Sequence, residues 1–370
     1  MTAIGDAELF TVGPDEVVLT FVTVPHVEVT TRVGEVEVST TGPYHVARVT
    51  GLEPDREYAL AVDGADPSEL LPATVQTLAR PSGRLLATIA TANDVHFGET
   101  ECGILGEGDQ MGPILGAAPG HPPYPEVMND AAVDEIIAAG PDAVVVKGDL
   151  TNLGTEQEYD DFLRVYGRLG DVMHHVRGNH DAMITQSIAS DRAPFAIDLP
   201  GVTLAVLDTV IPGSDRGAIS RDQLVWLEEL AATTDRPMLV FGHHHPWNPD
   251  SPTRSANYFG INPDDSDALV ALIARHEAIA GYFAGHTHRN RVRRFSATGS
   301  VPIAEVACVK DYPGAWAEYR VYEGGYTQMV HRIGAPAAMD WTERTRQMFA
   351  GLYRDYALGS VGDRCFTHAF

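Results

Sequence analysis

Beyond Arg84 the chain alternates short apolar runs with helical patterns, and this alternation limits its fold more than any other feature. Leu85 to Ala90, Ala143 to Val146, Val172 to Arg177, Leu204 to Leu207, Met238 to Phe241 and Ala280 to Ala284 all have strand length. Helical patterns precede most of them. Asn129 is expected to cap a helix that runs through Ala139 and ends at Gly140. Ser220 with Gln223 forms a capping-box signature ahead of Leu224 to Ala231, and Asp265 or Ser266 caps Leu269 to His276. Residues 84–335 therefore read as one α/β domain.

Residues 1–80 have another texture. Val17 to Val24 is a β-branched run, and Val33 to Val38 and His45 to Val49 alternate like half-buried strands. Turn residues at Gly13-Pro14 and Gly42-Pro43 punctuate them, which predicts a small all-β sandwich. The stretch from Gly51 to Val62, with Leu52, Pro54 and Tyr58, resembles the late strand region of a fibronectin type III module. Arg80-Pro81-Ser82-Gly83 reads as the linker to the second domain. After Val301 a hairpin is predicted, Trp316 to Tyr322 and Tyr326 to Ile333. Residues 336–370 then form a helical extension packed on the α/β domain. Its amphipathic helix, Trp341 to Tyr356, carries Met348, Leu352 and Tyr356 at helical spacing, which reads as packing.

Charge excludes some functions. Lys and Arg number 26 against 51 Asp and Glu, a net charge of −25, so no cationic footprint exists for a long nucleic acid. No run reaches the roughly 18 apolar residues of a membrane span, and Met1 to Phe10 lacks the pattern of an export signal, so a cytoplasmic protein is expected. Cys102, Cys308 and Cys365 are too few and too far apart for a disulfide framework or a thiolate zinc site.

Five polar clusters fall at the ends of the apolar runs or in the loops that follow, where α/β sheets bind ligands. They are Asp94-Val95-His96, Gly148-Asp149, Gly178-Asn179-His180-Asp181, Gly242-His243-His244-His245-Pro246 and Gly285-His286-Thr287-His288. Carboxylate, imidazole and amide without sulfur suit Mn, Fe, Co or Zn. Taken alone, Asp149 is an ordinary turn or cap residue, and Asp94 to His96 is ordinary loop polarity. Five histidines in two loops exceed what hydrogen-bonded core imidazoles account for.

In this order the clusters closely resemble those of the calcineurin-like metallophosphoesterase superfamily, over residues 85–333. The resemblance implies a β-sandwich flanked by helices, an αββα arrangement, with a site for two divalent metal ions. By motif position, Asp94, His96, Asp149 and His288 would hold one ion, and Asp149, Asn179, His244 and His286 the other. In the fourth cluster the ligand stands two residues before a proline, which selects His244, with His243 the adjacent alternative and His245 lining the site or supporting it. His180 would lie beside the phosphate and stabilise developing charge or protonate the leaving oxygen, with Asp181 orienting its ring. The implied reaction is in-line attack by a metal-bound hydroxide, with no covalent phospho-enzyme.

Purple acid phosphatases carry a Tyr three residues after the bridging Asp and a Gly two after the first, where this chain has Asn152 and His96. Gly148 to Asn152, with Gly154, Glu158 and Tyr159, looks instead like class III cyclic nucleotide phosphodiesterases. Small phosphodiesters are therefore the expected substrates, with phosphomonoesters such as nucleotides as the alternative and a non-catalytic binding protein as a third reading. The glycine- and proline-rich stretch between His96 and Asn129 reads as a surface insertion or a lid over the metals. His245, Asn257, Tyr258 and Asn262 are the candidate substrate contacts. Neither membrane nor nucleic-acid polymer is an expected partner, and the small β domain is compatible with a homo-oligomer.

Overall fold

The computed structural model of the protein describes residues 3–104 and 111–370. At the N-terminus, β1 (Ala3–Val12), β2 (Glu16–Val33), β3 (Val36–Thr50), β4 (Glu57–Val62) and β5 (Thr74–Gln76) form one antiparallel sheet. It is a single folded sheet, not two separate ones. The long β2 and β3 pair along their whole length with a register break between Val22 and Val27, at Pro25 and His26. On one side of the break β2 pairs β1, and beyond it Thr31 to Val33 pair β4. The bend closes a core of Leu19, Phe21, Val33, Val49, Leu60 and Val75. Gly42-Pro43 is therefore not a turn but lies within β3; the turn is Gly34-Glu35, where Gly34 takes φ +58°.

The α/β region contains β6 (Leu85–Ala92), β7 (Glu101–Cys102), β8 (Leu115–Gly116), α1 (Tyr124–Ala139), β9 (Ala143–Lys147), α2 (Glu156–Tyr166), β10 (Met173–Val176), β11 (Phe195–Leu199) and β12 (Val202–Val206). It continues with α3 (Arg221–Thr233), β13 (Met238–Phe241), α4 (Pro263–Arg275), β14 (Ile279–Ala284), β15 (Arg291–Arg293), β16 (Ile303–Glu305), β17 (Ala315–Tyr322) and β18 (Gly325–Arg332). The C-terminal part adds α5 (Pro336–Thr345), α6 (Leu352–Leu358), α7 (Val361–Arg364) and β19 (Phe366–Ala369).

Two six-stranded mixed sheets result, in the orders β10-β9-β6-β17-β18-β19 and β11-β12-β13-β14-β16-β15. Their inner faces pack against each other: the Tyr319 ring meets Phe283 at 4.8 Å and Phe241 at 5.9 Å. Strands such as Ala143–Lys147 are buried at every position, as parallel strands covered on both faces must be. Met128, Val133 and Ile136 of α1 and Phe162 and Val165 of α2 join the core of the first sheet. Leu227 of α3 and Leu269 and Ile273 of α4 cover the second. This is the αββα arrangement.

Several boundaries differ from the sequence reading for local reasons. Helix α1 starts at Tyr124 behind Pro123, and Asn129 lies inside it, donating through its amide to the Val95 and Pro125 carbonyls. Ser220 caps α3 by accepting from the Gln223 N–H, but the Gln223 side chain bonds the backbone of Asp208 instead of closing a box. Asn262, not Asp265 or Ser266, caps α4. The helix expected over Trp341 to Tyr356 is broken at Phe349 and Ala350, both at positive φ, where a right-handed helix cannot continue. The glycine-rich stretch contains the small β7–β8 pair; Gly106 and Gly108 lie outside the described residues.

The C-terminal segment packs on the N-terminal sheet as well as on the α/β region. Strand β19 extends the first sheet beside β18. The Cys365 side chain sits in the core of the N-terminal unit and accepts from the Val12 N–H at 3.3 Å. Arg364 donates to the Leu9 and Phe10 carbonyls, and Arg346 pairs with buried Glu8.

Candidate metal centre

In the first sheet β6, β9 and β10 run parallel, and in the second β12, β13 and β14 do. Their C-terminal ends therefore open on one edge of the sandwich. The five polar clusters sit in the loops that leave β6, β9, β10, β13 and β14 there.

Close approach of these loops constrains their backbone. Gly148 has φ +88°, and a Cβ on it would stand 2.7 Å from both the Gly178 nitrogen and the His243 ring. Asp94, His96, Asp149, His286 and His288 all hold positive φ, between 49° and 68°. That region is unfavourable for residues other than glycine, and its concentration on five side chains of one site marks a function that offsets the strain.

Among the described residues the structure brings three sets of ligating atoms together, each within 4.8 Å: Asp94, His96, Asp149 and His288 in the first, His243, His244 and His286 in the second, and His288, Cys308 and Asp311 in a third that shares His288 with the first. The first is the set read from the sequence. His96 Nε2 lies 3.5 Å from Asp149 Oδ2, and His288 Nε2 lies 3.5 Å from Asp94 Oδ1. Asp94 is aimed by the His286 N–H and by the Asn93 amide at 2.6 Å. Asp149 Oδ1 accepts from the His180 N–H at 2.9 Å.

In the second set His243 and His244 stand side by side and differ in their partners. The His243 Nδ1 donates to the Lys147 carbonyl at 2.8 Å, which leaves Nε2 directed at Asn179 Oδ1, 3.0 Å away, and at Asp149 Oδ1, 3.3 Å away. The His244 Nδ1 instead meets the Thr209 hydroxyl at 2.8 Å. Its Nε2 is buried without a partner, and its ring lies 4.4 Å from that of His286.

These residues suit divalent cations. Both ring nitrogens of His96 and the Nε2 atoms of His244 and His286 are buried and unpartnered among the described residues. Such atoms are costly unless something electropositive faces them. Burial, together with cationic neighbours, holds the imidazoles of His96, His244 and His286 well below their usual pKa, the neutral form a metal requires. Burial raises the Asp149 pKa, but facing His243, His180 and His96 outweigh it and keep the carboxylate ionised. The opposite balance lifts His243 to about 9, burial being overcome by Asp149.

His180 stands at the cleft edge, its ring 4.5 Å from that of His96. Its Nδ1 donates to the Asn152 carbonyl at 2.6 Å. Asp181 does not orient it, contrary to the sequence reading. That carboxylate is buried and accepts from the N–H groups of Leu150, Thr151 and Gly178 and from the Thr151 hydroxyl, tying two loops together.

None of the four expected substrate contacts lines the cleft. Asn262 is occupied as the cap of α4, Asn257 meets Arg216, and Tyr258 packs on Trp247 and on His245, which is buried behind the site. Their neighbour Phe259 does line it, stacked on His286 at 4.0 Å. Sequence reasoning also missed Lys310 and Asp311, which follow no motif. Lys310 bridges Glu99 at 2.6 Å and Asp311 at 3.2 Å, and Asp311 lies 3.7 Å from His288 Nδ1.

Residues 87–290, more than half of the chain, match the calcineurin-like phosphoesterase family. The glycerophosphodiester phosphodiesterase GpdQ of Enterobacter lignolyticus is 31% identical over 160 residues, covering 40% of this chain and 56% of that protein. A cAMP/cGMP dual specificity phosphodiesterase of Mycobacterium tuberculosis is 29% identical over 180 residues, covering 45% and 55%. The chain thus spans about half the length of these curated relatives. A solved dimetal phosphatase from Danio rerio aligns with a TM-score of 0.49 at 15% identity, over 68% of this chain and 97% of that one. No helix among the described residues is long and apolar enough to cross a membrane. With the matched span enclosing every cluster from Asp94 to His288, the chain belongs to the calcineurin-like phosphoesterase family.

Proposed function

We propose that the cleft hydrolyses small phosphodiesters with the aid of two divalent metal ions. One observation carries this reading: two sets of ligating side chains, all buried except half-buried His288 and one of them including Asp149, meet where Asp149 Oδ1 and Asn179 Oδ1 face His243. Asp94, His96, Asp149 and His288 would hold one ion, and Asp149, Asn179, His243 and His286 the other, with the His244 Nε2 beside them. Mn, Fe, Zn and Co all suit this donor set. Bound there, such ions supply Lewis acidity toward the phosphoryl oxygens and acidify a coordinated water.

The protein's own groups do the remainder. The Asn152 carbonyl fixes the His180 ring by its Nδ1 proton, which leaves Nε2 to hold or deliver a proton at the departing ester oxygen. The strained backbone at Asp94, Asp149 and His286 sets the ligand atoms in place before substrate arrives. Diesters are favoured over monoesters by the names of the relatives, a glycerophosphodiester and a cyclic nucleotide phosphodiesterase.

Turnover of bis-4-nitrophenyl phosphate against 4-nitrophenyl phosphate, with Mn supplied, tests the proposal. A marked preference for the monoester would overturn the diester reading. Protein that retains no transition metal and gains no activity from Mn would overturn the enzyme itself.

A further inference from the structure

The wall of the cleft beside the metal ligands is apolar and is assembled from stretches far apart in sequence. Ile104 and Met111 come from the glycine-rich stretch, Phe259 from the loop before α4, and Leu352 and Tyr356 from α6. Thirteen large apolar side chains are strongly exposed among the described residues, and these five, at 44 to 58% exposure, line this one cleft. Concentrated exposed hydrocarbon of this kind marks a binding surface. The wall begins at the metal ligands themselves, because the Phe259 ring stacks on His286.

Several polar groups along the wall are already engaged. The Lys310 ammonium is neutralised by Glu99 and Asp311, the Tyr356 hydroxyl donates to the Thr287 carbonyl at 2.8 Å, and the Tyr353 hydroxyl donates to Asp311 at 2.5 Å. Two exposed acids, Glu101 and Asp215, also line the cleft and would repel a second anionic group. The cavity measures about 710 Å³, within the range that encloses a drug-sized ligand and far more than a phosphate group fills.

We infer that this wall binds a hydrocarbon ester arm, so that the preferred substrates are phosphodiesters in which one alcohol is an apolar group of several carbons. The inference rests on the phosphodiesterase reading and names its substrate class. Hydrolysis adds water across one P–O bond: the water oxygen joins phosphorus, and the departing alkoxide takes the proton.

The test uses the full-length protein with Mn and a series of 4-nitrophenyl methyl, butyl and octyl phosphates, each of which yields 4-nitrophenol and an alkyl phosphate. The expected result is a kcat/KM at least ~10-fold higher for the octyl than for the methyl ester, given the free energy of burying several methylenes. A flat or falling series overturns the inference. Calorimetric binding of octylphosphonate against methylphosphonate gives a readout independent of turnover. At least ~10-fold tighter binding of the octyl compound with a negative heat-capacity change is expected, and equal affinity overturns the inference. Leu352→Ser and Phe259→Ser, both at exposed positions, should shrink the octyl preference in each assay; an undiminished preference in both variants places the hydrocarbon elsewhere and also overturns it. If no ester is hydrolysed while the octylphosphonate preference persists, the catalytic reading fails and the apolar site stands.

Discussion

The Nε2 atom of His243 stands 3.0 Å from Oδ1 of Asn179, while its Nδ1 proton is committed to the Lys147 carbonyl. Such a ring either donates a second proton from Nε2 to the amide and carboxylate oxygens or, with that proton displaced, offers its lone pair to a cation that the same oxygens also face. His243→Ala is therefore expected to lower bound Mn from two ions to about one per chain, with turnover reduced ~100-fold or more. Elemental analysis after gel filtration checks the first number. Full metal occupancy in this variant, with loss in His244→Ala instead, would return the ligand role to His244.

Asp149 belongs to one ligand set and faces His243 of the other. Asp149→Ala should lose both ions while far-UV circular dichroism stays native, because β9, the strand that leads to it, is buried along its whole length and apolar at four of its five residues. Retention of one tightly held ion would show that the two sites are independent.

Chelation should destabilise the protein, since it leaves the buried nitrogens of His96, His244 and His286 without partners. Mn at about 100 times its dissociation constant is worth ~2.7 kcal/mol, so Tm should rise and keep rising with Mn concentration. A Tm indifferent to both EDTA and Mn would contradict the site.

His180 and Asp181 are adjacent in sequence but differ in what they touch, and their variants should differ in kind. His180→Ala is expected to keep both ions and lose ~10²- to 10⁴-fold in kcat. Asp181→Ala strips acceptors from three buried N–H groups and should cost at least about 3 kcal/mol in urea unfolding. An Asp181 variant with native stability and defective turnover would restore the orienting role that the sequence suggested.

A pH dependence follows from Glu318, which holds Arg320 at 2.8 Å and His331 at 2.9 Å, while Arg320 reaches Asp15 and Glu16 of the N-terminal unit. Burial raises its pKa, but His331 and Arg320 outweigh burial and hold it at about 2 instead of 4.5. The stabilisation is thus complete above pH 4.5 and lost as pH falls toward 2, roughly 3 kcal/mol in all. The stability gap between the wild type and Glu318→Gln should be widest at pH 7 and narrow below pH 4.5. A gap constant from pH 7 to pH 3 would rule the linkage out.

The strands and the five clusters were legible because each is local: an apolar run, a glycine that admits close approach, and donors placed directly after it. The choice among His243, His244 and His245 was not local. It turns on partners distant in sequence, such as the Lys147 carbonyl, 96 residues away, which accepts the His243 Nδ1 proton. Asp181 misled for the same reason, since its partners at Leu150 and Thr151 lie across a loop contact that the sequence does not announce. Met348, Leu352 and Tyr356 kept helical spacing on paper, but left-handed residues at Phe349 and Ala350 break the helix between them, and all three line the cleft. The fold of the first sheet on itself at Pro25 was likewise invisible to a pattern that shows only alternation.

Cys365 fills the core of a unit whose first strand begins at Ala3. On the ribosome, that unit is synthesised before the α/β region yet lacks part of its interior until Cys365 emerges. Its early strands must wait, partly open, while the whole α/β region is made. Loss of the segment around Cys365 would accordingly unseal the N-terminal sheet without touching a single metal ligand.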